Sequence, residues 1–416
     1  MRAPKKVLMI CYYFPPIVTS GVTRSLEFAK LLPRFGWEPV VLSVRHSKDP
    51  WISPVRDECP SDIRVERTYE WNLAGTAEFL HGCCCRVARM INKELTRNVF
   101  RDYLCFPDSQ IAWFSTLRAR RLARESDLVY VSCSPFSSSV SATIVKWLTK
   151  RPLAVDFRDA WSLNPHIRFS GVRRVVVNIL ERMVVGACDV LIVNTDGAAR
   201  LYASTYPKHR DKIVAIPNGY DLLTPVTEPN TEGEFRIMHV GSFYGTRNPD
   251  ALLECLAKSK RNDIVFIQVG NRFDSYERFK NVVKIRLVPP VSREQALQLM
   301  QSASLLYLKQ GWEYGVSDYI AVGAKTFEYL ATGLPILAEV PPGDNAELVK
   351  RYASFSCVVT SKSQADLSHA VERAYAARTQ KNAIHPEFAQ KFSRRELTRQ
   401  LASLLDRLIN PCIRSD

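Results

Sequence analysis

VLMICYYFPPIVTSGVTRSLEFAKLLPRFGWEPVVLSV, residues 7–44, sets two apolar runs on either side of an amphipathic stretch. Val7 to Tyr13 is unbroken and apolar, as expected of a strand buried on both faces of a parallel sheet. Phe14-Pro15-Pro16 ends it. Ser20 or Thr19 is placed to cap a helix from about Val22 to Phe35, whose Leu26, Ala29, Leu32 and Phe35 keep one face apolar. Gly36 stops that helix, and Pro39 to Val44 reads as the second strand. Strand, glycine loop, helix and strand form a βαβ unit, the start of a doubly wound sheet. The single glycine lacks the G-x-G-x-x-G spacing, which disfavours a nicotinamide dinucleotide. Gly21 still lets a phosphate approach the helix N-terminus.

The same alternation continues outward. Strands are expected at Ile63–Thr68, Leu128–Ser132, Leu153–Phe157, Val190–Asn194 and Val214–Ile216, with helices between them. Helices at Ala74–Ala88 and Val87–Leu104 fill the less regular part. Within Arg86–Arg124, basic residues mix with Leu104, Phe106, Trp113 and Phe114. That mixture fits an interfacial membrane helix, and equally an ordinary helix with a solvated basic face. Pro217-Asn218-Gly219-Tyr220-Asp221 is a turn, and Thr224–Glu234 is a linker with little to bury. The pattern then restarts at Phe235–Val240, Ile264–Gly270, Val282–Leu287, Leu305–Leu308, Pro335–Glu339 and Ser356–Val359. Ser292 with Gln295 forms a capping box. The fold class is therefore α/β, with two doubly wound Rossmann-like domains facing a central cleft. We place the domains at 1–225 and 226–390, with 391–416 a helix crossing back to the first.

Length and composition agree with this division. A chain of 416 residues is expected to form two domains of roughly 200 residues each. Apolar residues make up 46% and charged residues 24%, the balance of a folded globular protein. With no long apolar span and no signal-peptide pattern, the expected location is cytoplasmic. The eleven cysteines lack the spacing of a zinc site and read as reduced, mostly buried thiols. The net charge of +15 is uneven, +11 falling in residues 1–225 and +4 in the remainder. A basic first domain favours an anionic partner: a membrane leaflet, a lipid-linked phosphate or a nucleic acid. No nucleic-acid reading motif accompanies it, and nucleic acid is not the expected partner.

Three loops at strand ends of the second domain carry the chemistry: Gly241–Arg247, Gly270–Arg272 and the approach to Lys325. Gly323–Pro335 reads as a short helix ended by Gly333 and Pro335, with Lys325 and Glu328 on one edge. Taken alone, those two residues read first as a surface ion pair. With Gly241, Gly245 and Arg247 beside them, they offer cations and open N–H groups for a pyrophosphate and a carboxylate for a sugar diol. In the first domain, Asp156-Phe157-Arg158-Asp159-Ala160-Trp161 follows a strand and is the acceptor-side candidate; the alternative is a strand-end salt bridge made by Arg158. His166 and His239 read as ordinary polar or packed histidines.

The chain resembles glycosyltransferases of the GT-B fold, in the family 4 group of nucleotide-sugar enzymes. The resemblance rests on Tyr13-Phe14-Pro15-Pro16 with Gly21, Asp156–Trp161, Ile216–Asp221, His239–Ser242 with Arg247, and Lys325–Pro335. It implies a donor, a nucleoside diphosphate sugar, bound by the second domain through Gly241, Ser242, Arg247, Asn271, Val288, Lys325 and Glu328. Arg247 and Lys325 would neutralise the diphosphate, Glu328 would contact the ribose, and Leu287 and Val288 would flank the base. Gly21, Arg24, Arg158 and Asp159 would serve a glycan or lipid-linked acceptor, with Lys325, Arg247 and Asp159 as catalytic residues. Transfer would retain configuration without a bound metal or other cofactor. The implied task is polysaccharide synthesis at the cytoplasmic leaflet of the inner membrane, with the protein peripheral to it. One departure is Ile320, where the family often carries a first glutamate; neither Glu313 nor Asp318 is in register. Two rival readings remain, a nucleotide-sugar epimerase of related fold and a basic nucleic-acid-binding protein.

Overall fold

The computed structural model describes residues 4–410 except 18, 20, 46–59, 91–97, 114, 165, 166, 168, 222–225, 227–232, 260 and 313–318. Ser20, Phe114, His166, Glu313, Asp318 and most of the expected linker lie outside the described residues. The chain divides into two compact units, Met1–Pro217 with Arg394–Asp416, and Asn218–Ser393.

The first unit holds seven strands: β1 (Lys5–Cys11), β2 (Trp37–Val44), β3 (Arg64–Thr68), β4 (Leu128–Cys133), β5 (Leu153–Phe157), β6 (Val190–Val193) and β7 (Ile213–Ala215). All pair in parallel in the order β3-β2-β1-β4-β5-β6-β7. Met9 of the central β1 lies between Val41 and Tyr130 in register. Every residue of β4, β5 and β6 is buried, which explains their continuous apolar runs. On one face, Val7, Met9 and Phe28 share a core with Leu397, Leu401 and Leu405 of the C-terminal helix Arg394–Ile409. Each such leucine contributes about 2 kcal/mol of transfer free energy. Asp406 of that helix takes a hydrogen bond from Trp37 Nε1 at 2.9 Å and pairs with Lys5. The helices Thr116–Arg124, Ser137–Thr149 and Gly171–Ala187 lie side by side on the other face.

The second unit holds β8 (Phe235–Val240), β9 (Ile264–Val269), β10 (Ile285–Val288), β11 (Leu305–Lys309), β12 (Ile336–Glu339) and β13 (Ser356–Val359). These are also parallel, in the order β10-β9-β8-β11-β12-β13. Each order starts outward, returns to the centre and proceeds the other way, which is the doubly wound pattern. Tyr220 stacks on Phe388 at 5.1 Å and belongs to the second core, so the change of unit falls before it, at Pro217.

Three local expectations differ from what forms. The helix after β1 spans Val22–Leu31 and has Gly21 at its N-cap with no side-chain cap; a turn of 3-10 helix completes it to Phe35. The basic stretch folds as separate helices, Leu73–Met90, Val99–Leu104 and Thr116–Arg124. β10 begins at Ile285, with Val282 exposed before it. The helix Ala324–Thr332 ends at Gly333 in the left-handed conformation, φ 75°, and Ser292 closes its capping box with Gln295. Among the described residues no helix is long and apolar enough to cross a membrane.

Candidate functional site

β8 ends at Val240, and the chain leaves it through Gly241 at φ 131°, a conformation that disfavours any side chain. A Cβ at Gly241 would collide with the Lys325 ammonium. Gly270 leaves β9 at φ 151°, and its missing Cβ would lie 2.7 Å from the Gly241 carbonyl carbon. The two glycines thus let two strand-end loops touch each other and the lysine. Gly270 N donates to Val288 O at 2.9 Å, and Asn271 N donates to Ser242 Oγ at 3.0 Å. The buried amide of Gln268 donates to Asn271 O at 2.5 Å. Gly241, Ser242, Asn271 and Val288 are therefore brought together.

The helix Ala324–Thr332 presents its first turn beside these loops. Tyr329 OH accepts from Val240 N at 2.8 Å and pins the helix to the end of β8. Behind it, Thr326 Oγ1 donates to Asn345 Oδ1 at 2.9 Å, and Asn345 Nδ2 to Gln310 Oε1 at 2.8 Å. Lys325 Nζ stands 3.2 Å from Nε2 of the buried His239. His239 Nδ1 lies 2.9 Å from Tyr307 O, a carbonyl that can only accept, so Nδ1 carries the proton and Nε2 faces Lys325 as acceptor. Burial, then the Lys325 charge, holds the imidazole well below its usual value and keeps it neutral. The ring stacks on Phe243 at 4.1 Å, and the Tyr307 hydroxyl donates to Glu339 Oε2 at 2.5 Å. Glu339 in turn forms a buried pair with Lys309.

Lys325 itself is pushed down to about 8, first by burial and then by the Arg247 charge, with Glu328 pulling the other way. Arg247 donates from Nη1 to Tyr244 OH at 2.5 Å and lies over the Tyr244 ring at 5.1 Å. Among the described residues neither cation is ion-paired. Glu328 does not pair with Lys325, because its Oε1 accepts from Arg293 Nε at 3.1 Å and Nη2 at 2.9 Å. Arg293 also reaches Asp221 Oδ2 at 2.5 Å. Two adjacent cations with no counterion among the described residues, next to a helix start without a side-chain cap, are an arrangement suited to an anion. Ile320, in the position of the missing glutamate, is buried and contributes no charge.

In the first unit the expected acceptor residues separate into two groups. Arg24 is buried and fully engaged: Nε donates to Asp156 Oδ2 at 2.7 Å, Nη2 to Asp156 Oδ1 at 3.1 Å and to Ile216 O at 2.8 Å, and Nη1 to Pro217 O at 2.8 Å. This makes it an internal tie instead of an acceptor contact. Gly21 and Arg158 meet directly, since a Cβ at Gly21 would collide with the Arg158 guanidinium. The space expected for a phosphate above Gly21 is thus filled by that side chain. Arg158 Nε is 3.9 Å from Asp159 Oδ2, and its guanidinium lies 5.6 Å from the Tyr13 ring centroid. Asp159 is the exposed member of this group.

Residues 20–222 match the family model described as Glycosyltransferase Family 4. That match falls on the first unit, which is similar to a glycosyltransferase family 4 domain. No curated protein matches it. Among solved structures, Anabaena HepE in complex with UDP is 15% identical, with a TM-score of 0.63 over 97% of this chain and 99% of that one. Sucrose-phosphate synthase from Thermosynechococcus elongatus is 12% identical, with a TM-score of 0.65 over 98% of this chain and 100% of that one. The lipopolysaccharide outer core galactosyltransferase WaaB, in its apo form, is 11% identical, with a TM-score of 0.59 over 98% and 100%. At these identities the likeness is one of fold, and the fold is GT-B.

Two residues of this glycosyltransferase escaped the sequence reading: His239, which orients Lys325, and Arg293, which holds Glu328. His239 was legible in part, as the polar residue near the end of an otherwise apolar strand followed by glycine. Nothing local marks Arg293, whose partners lie far away in the chain. Among the described residues no three His, Cys, Asp or Glu side chains gather as a metal would require.

Proposed function

We propose that this glycosyltransferase moves one sugar, with retention of configuration, from a nucleoside diphosphate sugar to a glycan or lipid-linked acceptor in polysaccharide synthesis. The observation that carries the reading is the pair Lys325 and Arg247: two adjacent cations, one partly buried and pushed down to about 8, with no carboxylate paired to either among the described residues. Such a pair is unfavourable until an anion of matching charge arrives, and a diphosphate supplies it. That Anabaena HepE has been solved with UDP and with UDP-glucose supports a donor of this class.

Donor chemistry follows from the same residues. Lys325 and Arg247 would neutralise the diphosphate as the bond to the anomeric carbon breaks, and Glu328, held by Arg293, would accept from the ribose hydroxyls. Val288 would border the base. The acceptor hydroxyl attacks on the face from which the diphosphate departs and passes its proton to a diphosphate oxygen, so no metal or other cofactor is required. Arg158 and Asp159 would receive the acceptor. The net charge of +11 over residues 1–225 supports work at the cytoplasmic leaflet, with the protein peripheral to it.

The test is release of nucleoside diphosphate from a panel of UDP- and GDP-sugars by the purified chain, in excess EDTA. The reading fails if no nucleotide sugar binds, and an altered nucleotide sugar formed without acceptor would indicate an epimerase. A pH dependence is also expected. An anion raises the Lys325 value from about 8, so donor affinity is complete below that pH and declines above it. The decline approaches about tenfold per pH unit until the bound-state value is reached. Calorimetric titration with UDP at neutral and alkaline pH checks it.

A further inference from the structure

The helices Ser137–Thr149 and Gly171–Ala187 pack side by side over the first sheet. Each buries one apolar side against the sheet, through Ala142 and Val145 on the first and Val177 and Val184 on the second. Each also turns a second apolar stripe to solvent. Ile144, with Trp147 and Leu148 three and four residues on, does so on the first helix, and Val172, Val175 and Ile179, at spacings of three and four, on the second. Trp147 is 49% exposed and Val172 73%. A helix that is apolar on both sides has a second apolar phase to meet.

The charge around this patch identifies the phase. The neighbouring helix Thr116–Arg124 exposes Leu117 together with Arg121 and Arg124, and the helix Gly171–Ala187 exposes Arg174 and Arg182. Among the described residues, Glu125 is the exposed acidic side chain at the Thr116–Arg124 end, 3.7 Å from Arg121, and it leaves the surroundings positive. A second copy of the chain is a poor occupant, because a two-fold contact would bring Arg174 and Arg182 against like charges. An anionic bilayer satisfies both features, with tryptophan and aliphatic side chains at the acyl boundary and arginines on lipid phosphates.

We propose that the outer face of these two helices is the surface by which the enzyme lies on an anionic membrane. The assignment rests on the reading that its acceptor is held at a membrane. It places the centre of the interfacial contact on the adjacent pair of helices, with the basic 86–124 stretch, whose Leu104, Ile111 and Leu117 are also exposed, beside it.

Flotation of the full chain with vesicles tests this. It should float with vesicles of phosphatidylcholine and phosphatidylglycerol in equal parts, and not with phosphatidylcholine alone. The double variant Val175→Glu, Ile179→Glu should lose binding by on the order of tenfold or more. Trp147→Ala, which only trims an exposed side chain, should lose a smaller part. Retained binding of UDP-sugar by both variants would show that the fold is kept. The proposal is overturned if the unmodified chain does not float, if the variants float equally well, or if sedimentation shows a dimer that the same substitutions dissociate. A chain that floats but binds no nucleotide sugar would contradict the donor reading alone, and the converse would contradict only this assignment.

Discussion

Lys325→Ala is expected to lower the second-order rate constant for sugar transfer about a hundredfold to a thousandfold, the range for losing one preorganised group at developing charge. The substitution removes an ammonium that Nε2 of His239 holds 3.2 Å away and that Gly241 leaves room for. Donor binding should weaken by about 1.5–3 kcal/mol, the worth of a charged hydrogen bond. Stability should not fall in parallel, because burial and Arg247 both disfavour the charged lysine in the free protein. A loss of transfer with an unchanged unfolding midpoint therefore separates a binding role from a structural one. Equal losses in both would point to a packing residue.

Asp156→Ala should have the largest effect on stability, about 3–5 kcal/mol, because it leaves a buried guanidinium without its counterion. Asp156 has no exposed surface, and it accepts from Arg24 and from the Tyr130 hydroxyl. Arg24 would keep only the carbonyls of Ile216 and Pro217. Denaturant unfolding of the first unit measures the loss. Arg24→Leu combined with Asp156→Ala should cost less than the two single changes added, since neither charge is then stranded. Additive costs would show that the pair is not coupled.

Much of the architecture was legible because it depends on local pattern. Unbroken apolar runs marked strands buried on both faces, and Gly333 with Pro335 marked a helix end that the structure reproduces. Those signals operate over a few residues. The pairings within the candidate site were not legible. Lys325 and Glu328 are three apart on one helix, so a mutual ion pair was a fair alternative; instead each is bound by a residue remote in sequence, His239 and Arg293. The same holds for Arg24, whose carboxylate lies on β5. The space expected for a phosphate at Gly21 is taken by the Arg158 side chain. Side chains that reach across strands obey the tertiary fold, and no spacing rule predicts them.

Calorimetric titration of UDP-sugars into the purified protein and into Lys325→Ala, from neutral pH to about 8 in buffers of different ionisation enthalpy, tests the central claim most directly. The account predicts saturable binding to the unmodified chain, proton uptake that grows as the pH rises toward about 8, and in the variant weaker binding without that proton uptake. Absence of any nucleotide-sugar binding, or equal binding and proton uptake by Lys325→Ala, would contradict it.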